Sequence, residues 1–517
     1  MIDMTGRSTV LIGLQYGDEG KARVLDILLQ RGLPHIKENL LGSMLASELG
    51  PKSVNGLELG FRGSPIYDLT KLMQPPSYDI VARFNGGANA GHTLVVNGQT
   101  IALHQIPSGI FHPKMDLFIG SGCALNPGKL QTETVDVKNL GISLEGRLHI
   151  SPSTSLVQPH HVLLDSVLGK GIGSTGNGIG PLYADRAFRV INGALTNLTL
   201  SEYLSDPDTG KEHAKANMAR VAEQFGLGTL EPAVMNEFHE ATLKLAPNLA
   251  RDPLFLQRLF NQGKNIFFEG AQSVMLDNVT GTLPCVTSSR TVAGAAYTGD
   301  LAPDRNCRII GVAKAIMSRV GYGPFVTELG GEESENYFID KGENPEQRTW
   351  EEAQDLEKLL TSDNLFDVGM GLRVLGKEYG ATTGRPRRVG MLDLVMLKQV
   401  CELNSVDELY ITKFDCLEHF SRTNLKGIPV VVGYKLNGES IDYLPTTQKE
   451  MGACEPRVVY LSNIRQDISK VRTYEDLPRE AKRVIEFIEE HVGRKVYGVG
   501  VGPEREQFVH INSFNKK

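Results

Sequence analysis

The sequence predicts one large α/β domain, built around a mostly parallel β-sheet with its ligand site at the carboxyl ends of the strands. Three observations carry that reading. An apolar, β-rich run from Thr9 to Gln15 passes through a short Gly-rich stretch into a helically spaced run, Ala22 to Gln30. Strand, turn, helix is how a parallel α/β sheet opens. The same punctuation recurs at the ends of further apolar runs. No linker divides the 517 residues into halves, although that length has room for two or three ordinary domains.

The elements follow in order. Val24, Leu25, Leu28 and Leu29 give the first helix its apolar face. A second strand, Tyr78 to Phe84, ends at Asn-Gly-Gly-Ala-Asn-Ala-Gly-His-Thr, residues 85–93. Leu117 to Ile119 ends at Gly-Ser-Gly, and Asn265 to Phe268 ends at Glu-Gly-Ala-Gln. Leu409 to Ile411 ends at Thr-Lys-Phe-Asp, and Lys495 to Val499 ends at Gly-Val-Gly-Pro. Open α/β sheets bind ligands outside the carboxyl ends of their strands, so these ends point to one large site. Two stretches break the pattern and read as insertions. Residues 31–77 have weak helical periodicity and no strand-end motif, and residues 331–376 are acidic at first, then helical from Trp350 to Leu360.

Composition removes several classes. With 41% hydrophobic and 22% charged residues the chain is globular in character. A net charge of −7 gives no overall attraction to nucleic acid. No apolar run is long enough to cross a bilayer. The first residues lack a basic stretch followed by an apolar core, and the six cysteines are scattered without a C-x-x-C pair. Reduced thiols and a cytoplasmic location are expected, with neither nucleic acid nor membrane as partner.

Six motifs carry chemistry, each with a plainer alternative. Gly17-Asp18-Glu19-Gly20-Lys21 resembles a phosphate cradle but is not a Walker A loop: Gln15 takes the first glycine's place and Ala22 that of the metal-binding hydroxyl. Backbone N–H groups, a helix N-terminus and Lys21 still suit phosphate. Asp18 would repel phosphate unless it binds a metal or accepts a proton. The alternative is a glycine-rich turn capping a helix. His92, among small residues at a strand end, is either a catalyst or a satisfied structural histidine. Residues 173–181 are dense in Gly and hydroxyls, with Arg186 and Arg189 close behind, and read as an anion site or a surface loop. Val286 to Thr291 reads as a phosphate contact or a plain turn. Gly380 to Arg388 places three arginines beside hydroxyls, suited to carboxylate or phosphate, or to a solvated turn. Thr412-Lys413-Phe414-Asp415 resembles a guanine reader, because a carboxylate accepts from guanine N1–H and its 2-amino group.

Together and in this order, the motifs resemble the adenylosuccinate synthetase family. The resemblance runs through 9–30, 78–330 and 377–515, on stretches such as ARFNGGANAGHT, HQIPSGI, GIGPLYADR, FFEGAQSVMLD, YGATTGRPRR and GVGPER. It implies a P-loop-NTPase-like fold and a ligase that forms adenylosuccinate from IMP and L-aspartate. GTP is hydrolysed to GDP and phosphate through a 6-phosphoryl-IMP intermediate, on the AMP branch of purine biosynthesis. The implied catalytic residues are Asp18, which takes the N1 proton of IMP, His92, Lys21 and Gln272. Mg²⁺ would sit on Asp18 and the carbonyl of Gly91. IMP would meet Asp18, Lys21, Asn89, His92, Thr175, Gln272, Thr287 and Arg385, with Arg189 reaching into the partner's site of a homodimer. GTP would meet Gly17, Glu19, Gly20, Lys21, Gly91, Thr93 and Arg387, with its base read by Lys413 and Asp415 beside Gly500 and Gly502. Aspartate would lie on Ala381, Thr382, Thr383, Gly384 and Arg385.

The sequence departs from the family's pattern at four positions. Ala22 and Arg23 replace a usual Gly-Lys, Asn177 stands where an arginine is common, and Met391 replaces a usual tryptophan. A related branch acting on guanine deoxynucleotides lacks the catalytic aspartate, whereas Asp18 is present here. Two other readings stay open at this level: a sister ligase joining aspartate to another 6-oxopurine nucleotide, and a nucleotide-binding regulatory homologue without turnover.

Overall fold

A computed structural model describes residues 6–31, 78–96, 99–169, 173–227, 232–341, 344, 346–380 and 384–511. Among them nine strands form a central sheet. These are β1 (Ser8–Gly13), β2 (Ile80–Arg83), β3 (Asp116–Ile119), β4 (Leu148–Ile150) and β5 (Ile266–Ser273), followed by β6 (Arg308–Lys314), β7 (Glu408–Thr412), β8 (Val496–Gly500) and β9 (Phe508–His510). Their order is β9-β8-β7-β6-β1-β5-β2-β3-β4. Every neighbouring pair is parallel except the edge pair β8 and β9. The chain enters at the middle, winds out to β4, returns through β5, and then fills the other side. That reversal at β1 is where an open α/β sheet binds its ligand.

Alternate residues of each inner strand enter different cores. Val10 and Ile12 pack on one face of the sheet and Leu11 on the other, and Phe268 and Phe267 divide in the same way. Burial on both faces is why these strands read as unbroken apolar runs rather than alternating ones. The face of Leu11 is covered by α1 (Lys21–Arg31) and α2 (Pro127–Asn139), through Val24, Leu25, Leu28, Leu130 and Val137. The opposite face carries the helices Leu394–Leu403 and Arg479–Val492, and the antiparallel strands Ile428–Leu436 and Cys454–Leu461 join it through Val430, Val431 and Tyr434.

The structure corrects three readings. Strand β5 runs five residues past the expected end at Phe268, because Glu269, fully buried, continues it with a hydrogen-bond partner, His92, supplied from elsewhere in the fold. The Gly-Ser-Gly after β3 serves packing and does not line the cleft described below: side chains at 120 and 122 would strike the carbonyls of Arg83 and Phe84. The helix expected from Trp350 to Leu360 is two, Gln347–Glu352 and Leu356–Leu360, the second capped by Asp355 accepting from the amide of Lys358 at 3.1 Å.

Of the first expected insertion, only Arg31, which ends α1, lies within the described residues. The second, 331–376, also includes helices Gly331–Lys341 and Leu365–Gly376. Its buried Glu351 accepts from Arg373 at 2.6 Å, Tyr337 at 2.7 Å and Tyr379 at 2.7 Å, which ties the segment to the chain leading into residues 384–388.

Two further helices, α3 (Pro159–Leu168) and α4 (Ile179–Phe188), flank the Gly-rich residues 173–178. Buried His160 and His161 both hold Asp185 of α4, at 2.8 and 3.2 Å. The three side chains are spaced closely enough for a metal. However, His161 Nδ1 accepts from the amide of Gln158, so its Nε2 carries the proton given to Asp185 and has no lone pair to offer. The cluster fastens two helices.

Candidate active site

A cleft of about 1270 Å³ opens at the carboxyl ends of β1, β2, β5 and β7. It exceeds the ~300–1,000 Å³ of a single small-molecule pocket, so it has room for more than one ligand. Its floor begins with the loop after β1. Gly17 at φ +98° and Gly20 at φ +82° adopt left-handed backbone, which lets the chain curl before α1. Inside the curl Glu19 accepts from the amides of Gln15 (3.1 Å) and Gly17 (2.9 Å), from Ser273 (2.6 Å) and from Lys21 (2.9 Å). Gly13 is required beneath it, since a Cβ there would lie 2.2 Å from the Glu19 carboxylate. Burial raises the Glu19 carboxyl, but Lys21 and Lys314 outweigh it and hold the group below its ordinary range. The Glu19 side chain therefore points inward, away from the cleft, and only its backbone can meet a nucleotide.

Asp18, at φ +56° and 39% exposed, turns the other way into the cleft. Its carboxylate meets Arg387 at 2.6 Å, and Arg387 also donates to Glu378 at 2.9 Å. Glu378 gathers Lys413 at 3.3 Å, Lys314 at 3.5 Å and the Ser318 hydroxyl at 2.6 Å. Burial would raise both carboxyls, but these cations hold Asp18 below its usual range and Glu378 well below. Counting Glu19 and Lys21, three carboxylates face four cations. Within this network the cations outnumber the carboxylates by one.

His92 begins a two-stranded hairpin with Gln99–Leu103 and lines the cleft at 5% exposure. Its Nδ1 donates to Glu269 of β5, which also accepts from the Ser108 amide at 2.8 Å. Burial lowers the pKa of His92 and Glu269 opposes it, leaving it below 6.5; Glu269 itself is pushed down to about 2. A carboxylate on Nδ1 orients the ring and leaves Nε2 to act toward the cleft.

The other expected residues are placed as follows. Asn89, Gly91, Thr175, Gln272, Thr287 and Lys413 line the cleft. Gln272 sits at φ +54° with its Oε1 buried and unpaired among the described residues, an acceptor awaiting a donor. Thr93 follows His92 on the hairpin, its backbone paired with Ala102. Asp415 opens a 3₁₀ helix just beyond Lys413; burial raises its carboxyl against the opposing Lys413 and Arg23. Gly500 ends β8 against Thr412, with Arg23 beside it, and Gly502 lies in the turn that follows. Arg23 also donates to the carbonyls of Glu504 (2.6 Å) and Gln507 (2.7 Å). Gly384 takes φ +66°, and the carbonyl of Arg385 accepts from Gly380 at 2.8 Å. Ala381, Thr382 and Thr383 lie outside the described residues. Arg189 caps the end of α4 at φ +70°, exposed and away from this chain's own cleft.

Four of the eight described non-glycine residues at positive φ line the cleft: Asp18, Gln272, Lys377 and Lys413. Such backbone costs about 1–3 kcal/mol per residue and gathers at functional sites. Sequence reading missed Glu269, Glu378, Lys314 and Ser108. Only Glu269 carried a signal, as a lone acid inside an apolar strand.

A family model described as adenylosuccinate synthetase matches residues 70–509. Adenylosuccinate synthetase 2 of Cupriavidus pinatubonensis is 38% identical over 505 residues, 97% of each chain. Adenylosuccinate synthetase of Bifidobacterium adolescentis is 35% identical over 514 residues, 98% of each. Fully ligated adenylosuccinate synthetase from Plasmodium falciparum aligns with TM-score 0.76 at 28% identity, covering 98% of this chain and 100% of that one. Succinoaminodeoxyadenylate synthetase of cyanophage S-2L, bound to dGMP and dATP, shares the fold at TM-score 0.54 and 15% identity, over 98% and 95%. With end-to-end likeness joined to a cleft that gathers Asp18, His92, Gln272, Arg387 and Lys413, the chain belongs to the adenylosuccinate synthetase family.

Proposed function

We propose that the cleft joins IMP to L-aspartate with hydrolysis of GTP, and that its residues divide the work as follows. The carrying observation is the convergence of Asp18, His92 with Glu269, Gln272 and the Arg387–Glu378–Lys413 group on one floor. Asp18 accepts the N1 proton of IMP while O6 attacks the γ-phosphorus of GTP; the O6–P bond forms and GDP leaves. The aspartate amine then attacks C6, and the phosphate formed on O6 departs with that oxygen, giving adenylosuccinate. O6 is a poor leaving group until it is phosphorylated, which is why GTP is needed. His92, protonated once the negative charge of the phosphoryl group lies beside it, donates from Nε2 to the transferring phosphoryl oxygens, and Lys21 holds phosphate at the mouth of α1.

Asp18 and Gly91 line the same cleft, and a carboxylate with a backbone carbonyl is the hard oxygen set that Mg²⁺ takes, so this pair fits the ion. A Mg²⁺ ion held by these two residues would supply positive charge against the transferring phosphoryl group. Asn89, Thr175, Thr287 and Gln272 hold IMP, with Arg385 on IMP and aspartate. Arg387, Lys413 and Asp415 serve GTP. Residues 381–384 serve aspartate, and 31–77 and 331–376 stand as insertions on this scaffold. A homodimer is part of the reading: Arg189 points away from its own cleft between exposed Phe188 (58%) and Val190 (52%), an apolar surface that a second copy would cover. Among the described residues no helix is long and apolar enough to cross a membrane, in keeping with a cytoplasmic enzyme.

Phosphate release by the purified protein with Mg²⁺, GTP and L-aspartate tests the assignment. It is expected only when IMP is added. Release only with a different purine nucleotide, or none at all, would overturn it.

A further inference from the structure

The loop at 173–178 contains a polar relay that the roles above leave unused. Lys129, on the first turn of α2, donates from Nζ to Oδ1 of Asn177. Asn177, 8% exposed, donates from Nδ2 to the Thr175 hydroxyl at 2.9 Å. Thr175 lines the cleft, whereas Lys129 and Asn177 stand behind it. Among the described residues Lys129 has no carboxylate partner, and burial alone lowers its pKa. Its amide is the one that Asn126 caps at 3.0 Å, so the ammonium sits at the positive end of its own helix.

The directions of the bonds define its effect. An amide can present either oxygen or nitrogen to a neighbour, and a cation at Oδ1 fixes which. With Nδ2 turned to Thr175, the hydroxyl oxygen accepts and its hydrogen is left to donate into the cleft. Were the amide reversed, the Thr175 hydrogen would turn back to Asn177 and a lone pair would face the cleft, repelling an anion. The ammonium also polarises the amide, which strengthens the second bond.

We propose that Lys129 is a positioning residue for the 5′-phosphate of the nucleotide substrate, acting through Asn177 on the Thr175 hydroxyl, in place of the arginine common at position 177. This rests on the reading above that Thr175 holds IMP, whose 5′-phosphate is the anion that its hydroxyl would meet. The relay supplies through two side chains the positive charge that an arginine would supply directly.

Steady-state kinetics of Lys129→Met test it. The KM for IMP is expected to rise about tenfold, as for a hydrogen bond to a charged group, with kcat and the KM for GTP within about twofold of the parent. Lys129→Arg is expected to keep most of the affinity. Adding Asn177→Arg to Lys129→Met should restore it, which a purely structural defect would not allow. An unchanged KM for IMP, a fall in kcat alone, or no rescue by Asn177→Arg would overturn the role of Lys129. Failure of the parent protein to release phosphate with IMP would instead overturn the assignment of Thr175, and the relay with it.

Discussion

The floor of the cleft and its rim at residues 173–178 are built on different electrostatics. On the floor Asp18, Glu19, Glu269 and Glu378 each meet a cation or a histidine within hydrogen-bonding reach. At the rim one carboxylate, Asp165, pins both ends of the loop, accepting from Ser174 at 2.7 Å and from the Gly178 amide at 2.8 Å, and Lys129 has no countercharge among the described residues. Charges already fixed around a reacting centre cost no reorganisation at the moment of reaction, whereas a lone cation gains its partner only when an anion binds. Substitutions on the floor should therefore depress kcat, and those at the rim should raise KM.

The largest effect is expected at Asp18. Asp18→Asn keeps the shape and the left-handed backbone that Asn tolerates, but removes the carboxylate proposed to accept the proton and hold the metal. Turnover should fall by about 10³-fold or more, while calorimetry should find nucleotide affinity within a few fold. Near-normal phosphate release would remove Asp18 from the chemistry and break the division between floor and rim.

Glu269→Gln comes next. The carboxylate raises the pKa of His92 against the effect of burial, so its loss lowers that pKa further. If the imidazolium donates to the phosphoryl group, activity falls as pH rises through its pKa, and in the variant that fall must begin at lower pH. A loss in kcat of about 10- to 100-fold near neutral pH is expected, with nucleotide KM values nearly unchanged. A pH profile that coincides with the parent would show that Glu269 serves the fold rather than the proton.

How far these regions could be read from sequence follows from the range of the interactions. The strand ends at 17–21, 85–93 and 412–415 were legible because an apolar run stopping at Gly and polar residues is a local signal. Gly120 to Gly122 carries the same signal for a different reason, close packing on Arg83 and Phe84. Polarity alone cannot separate the two. Glu269 was hidden because its partner, His92, lies 177 residues away. The pairing of Arg387 with Asp18 joins residues 369 positions apart (387 − 18). Asn177 was noticed as a missing charge, but Lys129, 48 residues earlier and on another helix, could be connected to it only by the fold.

The smallest effect is expected below the rim, where His160, His161 and Asp185 fasten α3 to α4. Burial, with the neighbouring His160 adding to it, holds the pKa of His161 down to about 4, against 6.5 when exposed, despite Asp185. As pH falls from about 6.5 toward 4, the unfolded chain takes up a proton that the folded chain refuses, so stability is complete above 6.5 and is lost on acidification. At 1.36 kcal/mol per unit the loss is at most about 3 kcal/mol. Asp185, itself held below its ordinary range, yields its share only at lower pH. Urea midpoints measured from pH 7.5 to 4.5 should decline over this window. His161→Gln should begin less stable and decline more gently. Equal slopes in the two proteins would mean that His161 does not titrate across this window. The rim would then be held by groups whose charge stays constant across that range.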